Sequence, residues 1–210
     1  MSSQYFVLKT APEKRFDEEL QEKMETALTQ LHANTGLFFD YLCSEELDSS
    51  VNRFFWIEVK SEEAILKLVD DASIPVIYLI VKAKCQENIE LISSCITQFI
   101  SIYSLEQLQH KAIKEMNINP KSILLLALGT SIEFEPISAQ IFSDAFKSSN
   151  STTRCAAAEA LGLVQWPELM VDLKRAAESD SDADVREMAA VSLEACESLI
   201  KVKSDVDLKN

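Results

Sequence analysis

The chain has 210 residues, 47% of them hydrophobic, and a formal net charge of −14 at pH 7. That length holds one large domain or two small ones, with enough apolar side chain for a real core. The acidity argues against a nucleic-acid binder, because phosphate contacts need clustered Lys and Arg; it describes a solvated surface or a face that attracts a basic partner.

Tyr5–Lys9 reads as a short strand, stopped by Pro12. Phe16, Leu20, Met24, Ala27, Leu28 and Leu31 then recur at three- and four-residue steps with Glu and Lys between them. Such spacing predicts an amphipathic helix of about four turns. Asn34-Thr35-Gly36 ends it, the glycine being free to take a positive φ. Leu37–Cys43 and Arg53–Lys60 are rich in aromatic and β-branched residues, and predict a hairpin with a polar connection, Ser44–Asn52. Ser61-Glu62-Glu63 reads as a helix start, with a capping serine and acids that complement the helix dipole. The helix runs through Asp70, with Ala64, Ile65, Leu68 and Val69 inward. After Pro75, Val76–Val81 is too β-branched for a helix and lacks alternation, which predicts a strand buried on both faces.

Strand, helix, strand, strand, helix, strand is the ferredoxin-like pattern, a four-stranded sheet with two helices on one side, assigned to residues 1–84. An all-α solenoid throughout is the competing reading, since short apolar runs fit either period. From Gln86 onward there is no strand signal, and residues 86–204 read as helical, with a disordered tail at 205–210. Ile89, Ile92, Ile96, Phe99 and Ile100 mark one helix; Leu105, Leu108, Ala112 and Met116 mark a second. Helix pairs follow: Ser122–Gly129 with Ile137–Phe146, Thr153–Val164 with Pro167–Glu178, then Asp184–Ile200. Pro136 and Pro167 fall at first turns, where proline costs no hydrogen bond.

These pairs repeat. Thr153-Arg154-Cys155-Ala156-Ala157-Ala158-Glu159-Ala160-Leu161-Gly162 is echoed from Val185 to Glu194, with Arg154 and Arg186 lying 32 residues apart. An earlier, degenerate copy starts at Lys121 and places Gly129 where the later one places Gly162. The small residues Ala156, Ala157, Ala160, Ala189 and Ala190 let helices approach, with Leu161, Val191 and Leu193 filling the gaps between layers. An arginine in the first turn can bridge to an acid or carbonyl of the linker before it and fix the stacking angle. Gly129 and Gly162 read as helix ends.

The run Asp182-Ala183-Asp184-Val185-Arg186-Glu187-Met188-Ala189-Ala190-Val191-Ser192-Leu193 is similar to HEAT-like repeats. Its closest version is the short form of phycobilin lyase subunits and of many bacterial adaptor proteins. The resemblance covers roughly residues 119–200. It implies an α-helical solenoid, and it leaves function open, because such repeats host many activities.

Little in the sequence points to chemistry. His32 and His110 stand alone on separate helices, no Cys/His cluster has metal spacing, and three glycines cannot build a phosphate-cradling loop. The pairs Glu45-Glu46, Glu62-Glu63 and Asp70-Asp71 carry no mark of a buried acid/base pocket. Cys43, Cys85, Cys95, Cys155 and Cys196 sit among apolar neighbours, as reduced core thiols of a cytoplasmic protein do. Asn150-Ser151-Thr152 reads as a polar turn, and neither a secretory signal nor a membrane span is visible.

The expectation is therefore a non-catalytic adaptor without cofactor or metal. The second helices of each pair offer Gln140, Asp144, Lys147, Glu168, Asp172, Arg175 and Glu178 to a protein with a basic or mixed-charge surface. The N-terminal sheet edge adds a second contact or a homodimer interface. A bilin-handling subunit of the lyase type, or an immunity protein with an acidic face against a basic toxin, are the other readings; neither nucleic acid nor membrane is expected as a partner.

Overall fold

The computed structural model describes residues 2–10, 15–130 and 134–207, so the role read for Pro12 lies outside the described residues. The chain is α+β and divides into two units, Met1–Tyr103 and Ser104–Asn210. The boundary expected near residue 85 thus moves to Tyr103, and the helix that begins at Gln86 belongs with the sheet.

In the first unit β1 (Ser2–Val7) leads to α1 (Glu18–Thr35), and four strands follow: β2 (Phe39–Asp48), β3 (Val51–Glu58), β4 (Ala64–Asp71) and β5 (Val76–Ala83). Helix α2 (Gln86–Ile96) closes the unit. Every pairing is antiparallel and the order is β1-β5-β4-β3-β2. The ferredoxin-like sandwich is corrected here, because its second helix is strand β4; the five strands also exclude the all-α alternative. Ala64, Ile65, Leu68 and Val69 satisfy a helical period, yet Ala64, Leu66 and Leu68 satisfy alternation equally well. Backbone pairing decides between them, since a strand here gives both β3 and β5 a ladder partner that a helix would withhold.

Alternation sends Ala64, Leu66 and Leu68 of β4 and Ile77, Leu79, Val81 and Ala83 of β5 to one face. There they meet Leu20, Met24, Ala27 and Leu31 of α1 and Ile89, Ile92 and Ile96 of α2 in a single core. Helix α1 starts at Asp17, whose carboxylate accepts from Leu20 N–H at 3.0 Å, and ends at Gly36 with φ 77°. Its entry is tied to the sheet by Asp70, which takes Phe16 N–H at 3.0 Å and pairs with Arg15 at 3.1 Å. The polar stretch read as a hairpin connection is mostly strand: only Ser49 and Ser50 turn, and Ser44–Asp48 is polar because β2 is a sheet edge.

The expected helix cap at Ser61 is instead a corner between β3 and β4, with Glu62 at φ 56°. Glu58, 2% exposed, accepts from the Ser61 amide at 2.7 Å, the Ser61 hydroxyl at 2.6 Å and the Lys60 amide at 3.2 Å. Burial pushes its carboxyl upward, but these hydrogen bonds outweigh it and hold the group below its usual range. A lowered folded value means stability that is present above the ordinary 4.5 and lost as pH falls through the folded value. Glu58→Gln is therefore expected to cost about 1–3 kcal/mol at neutral pH, a gap that closes in acid. Urea melts of both proteins across the acid range measure it, and a gap independent of pH would show that the charge is not what holds the corner.

The second unit holds α3 (Leu105–Glu115), α4 (Lys121–Gly129), α5 (Pro136–Ala145), α6 (Ser151–Val164), a 3₁₀ turn at Pro167–Leu169, α7 (Met170–Ser179) and α8 (Ala183–Asp207). Helix α4 packs on α6 and α6 on α8; α3 lies against α4, and α7 against α8. Pro136 occupies the first position of α5, as expected, and Asn150 of the polar turn caps α6 through Thr152 N–H at 3.0 Å. The tail expected at 205–210 is helical through Asp207, and residues 208–210 lie outside the described residues.

Small residues do bring α6 against its neighbours: Ala156, Ala157, Ala158 and Ala160 are all buried. On α8 the inward face is Val185, Ala189, Ser192 and Cys196, whereas Ala190 is exposed and Val191 is 59% exposed. Gly162 is corrected too. It lies inside α6, not at its end, and a Cβ there would sit 2.7 Å from Ser192 Oγ and 3.1 Å from Ser192 Cβ. Its missing side chain is a close approach of two helices, and the left-handed C-cap falls instead on Gln165 at φ 55°.

Candidate protein-binding surfaces

Arg154 and Arg186 make the same reach. Each sits in the first turns of its helix and donates through Nη1 to the backbone carbonyl six residues earlier, Arg154 to Ser148 at 2.9 Å and Arg186 to Asp180 at 2.6 Å. Arg154 also forks onto the Asp180 carboxylate, Nε to Oδ2 and Nη2 to Oδ1, both at 2.8 Å. Asp180 thus takes the arginine of α6 on its carboxylate and that of α8 on its carbonyl. The hydrogen bonds from Arg154 hold its carboxyl below the usual range. Asp182 in the same linker caps α8, accepting from Asp184 N–H at 3.0 Å. Lys121 opens α4 at an exposed position, and Gly129 is the last residue of that helix.

The seven residues expected to bind a partner lie on α5 and α7 and in the turns beside them. Six are exposed, and Asp172 is half-buried. Five of them form two hydrogen-bonded groups. Asp144 accepts from Lys147 at 2.8 Å and Gln140 at 3.0 Å, which lowers its carboxyl. Asp172 accepts from Arg175 at 2.6 Å and from the Ser143 hydroxyl at 3.0 Å, so the two helices are bonded to each other. With both bases facing acids of the same set, Glu168 and Glu178 remain as exposed carboxylates.

Other candidates resolve into structure. His32 and His110 are exposed, and among the described residues no group of three or more His, Cys, Asp or Glu could hold a metal. Asp71 orders the turn before β5 by accepting from Ser73 and Ile74 N–H. Of the five thiols only Cys95 and Cys196 are buried, and burial pushes both upward; Cys85 is exposed, which corrects the reading of all five as core. No described helix is long and apolar enough to cross a membrane.

One feature of the first unit escaped the sequence reading. Between α1 and the β2–β3 hairpin lie two adjoining hollows of about 380 Å³ each, sharing Glu25, Tyr41 and Trp56. Phe16 and Phe54 extend one end, with ring centroids 4.2 Å apart, and His32 and Phe38 the other, at 5.2 Å. Tyr41 stands edge-on to Trp56 and is 50% exposed, and Phe38 is 44% exposed. Seen in sequence, these aromatics look like core.

No family model matches this chain, and neither a curated protein nor a solved structure matches it.

Proposed function

We propose that the chain is a non-catalytic protein-interaction module, an adaptor whose C-terminal unit is a HEAT-like stack of helix pairs. In this reading α5 and α7 present Glu168 and Glu178, with the ion-paired groups around Asp144 and Asp172, to a protein of basic or mixed charge. The observation that supports it best is the repeated hook of Arg154 and Arg186, the same contact made near the starts of α6 and of α8. Layered helix pairs leave one helix of each pair available to a ligand, which is the usual use of such scaffolds.

The test compares the wild-type chain with Glu168→Lys/Glu178→Lys as baits at low and moderate salt. A protein retained by the first and lost by the second is expected. Identical recoveries from the two baits, or none from either, would end the reading.

A further inference from the structure

The outer edge of β2 and the aromatic hollow beside it form a second surface, independent of the helical unit and of the function proposed for it. We propose that this surface docks an extended segment of another protein in which basic and apolar side chains alternate.

The backbone comes first. β2 is a terminal strand of ten residues, and a strand at a sheet edge presents amides and carbonyls that can pair with an added strand. Phe38 accepts from Val59 N–H at 2.9 Å, so Phe38 faces β3. Antiparallel pairing alternates from Phe39 to Tyr41, which turns the amides and carbonyls of these two residues outward. Past Tyr41 the register with β3 shifts between Tyr41 and Cys43 and again between Glu46 and Asp48, so the regular edge is the beginning of the strand. The Tyr41 N–H already donates to the Asp40 carboxylate at 2.9 Å, an acceptor standing where the carbonyl of an added strand would bind.

Side chains supply specificity. Alternate residues of an added strand fall on the helix-side face, over Tyr41 and the hollow floored by Trp56. Half-exposed aromatics around a concavity suit apolar anchors. Charge chooses the occupant. Asp40, Glu45 and Glu46 lie on β2 with no basic residue on the strand, and Glu25 stands across the hollow on α1. Two β2 edges pairing with each other would set acids against acids, which is destabilising, so a second copy is disfavoured and a basic segment is favoured.

The experiment titrates the full chain with a labelled peptide of about eight residues alternating lysine and leucine, enough to span the edge. A glutamate–leucine twin and a lysine–leucine twin interrupted by proline, which keeps the charge but cannot pair as a strand, serve as comparisons. Binding of the first peptide alone is expected, weakened about tenfold by Tyr41→Ala and by Glu45→Lys/Glu46→Lys. Hydrogen exchange at Phe39 should slow in the complex, and the charge-reversed variant, altered only at exposed positions, guards against misfolding of the Tyr41 variant. Equal binding of the proline twin, unchanged affinity in both variants, or no binding at all overturns the proposal. So does a dimer of this chain that the same variants dissociate.

Discussion

Arg154→Ala is expected to destabilise the chain by about 3–5 kcal/mol, the cost of leaving one partner of a buried ion pair uncompensated. The two side chains are only 12% and 10% exposed, and the contact is a fork with both nitrogens at 2.8 Å. A surface pair in the same unit, such as Lys147 with Asp144, is worth under about 1 kcal/mol by comparison. Arg154→Lys should recover little, since an ammonium cannot serve both carboxylate oxygens and the Ser148 carbonyl from one planar group. Acid supplies a second signature. Asp180 has a lowered folded pKa, so the pair contributes fully above the ordinary value of 3.8 and is lost as pH falls through the folded one. The alanine variant should therefore lose less stability in acid than the wild type does. Urea denaturation followed by Trp166 emission measures both, and a neutral-pH loss below about 1 kcal/mol would class the fork as a surface pair.

Trp166→Ala is expected to cost a similar amount, about 3–5 kcal/mol, for a different reason. Trp166 is 3% exposed in the connection between α6 and α7, and its ring meets Phe142 at 5.9 Å and Phe134 at 5.3 Å. Phe142 is fully buried, so removing the indole leaves a cavity on a rigid wall instead of a surface that can collapse. Trp166→Phe keeps an aromatic contact and should lose less than half as much. The circular dichroism melt reports the loss, while Trp56, the other tryptophan, reports on the first unit. A Trp166→Ala melt indistinguishable from wild type would mean that the connection is held by its backbone alone.

Periodicity made the helices legible. Leu20, Met24, Ala27, Leu28 and Leu31 are all buried where their spacing put them, and the arginine-led segments open α6 and α8. What sequence could not separate was a run that fits two periods: Ala64–Val69 became a strand because β3 and β5, which flank it in the chain, pair with it on both sides, a demand that its own residues do not express. Polarity misled in the same way at Ser44–Asp48, where an edge strand has no reason to be apolar and so resembles a loop. Gly162 shows a third limit. A glycine near a helix end and a glycine under a crossing helix look identical until Ser192 of α8 is seen 2.7 Å from where a Cβ at Gly162 would stand. Six of the seven residues expected on or beside α5 and α7 are exposed as read, but the hydrogen bonds among five of them were not legible. The hollow beside β2 was not legible at all, since α1 and the hairpin build it together.

Asp180 lies in the linker between α7 and α8, yet its carboxylate receives the guanidinium of Arg154 from α6 and its carbonyl that of Arg186 from α8. Neither α6 nor α8 can release its arginine without disturbing a residue the other is holding. Two contacts that share one residue couple local opening at the start of α6 to local opening at the start of α8. Asp180 thus joins the fates of two helix beginnings from a position outside both.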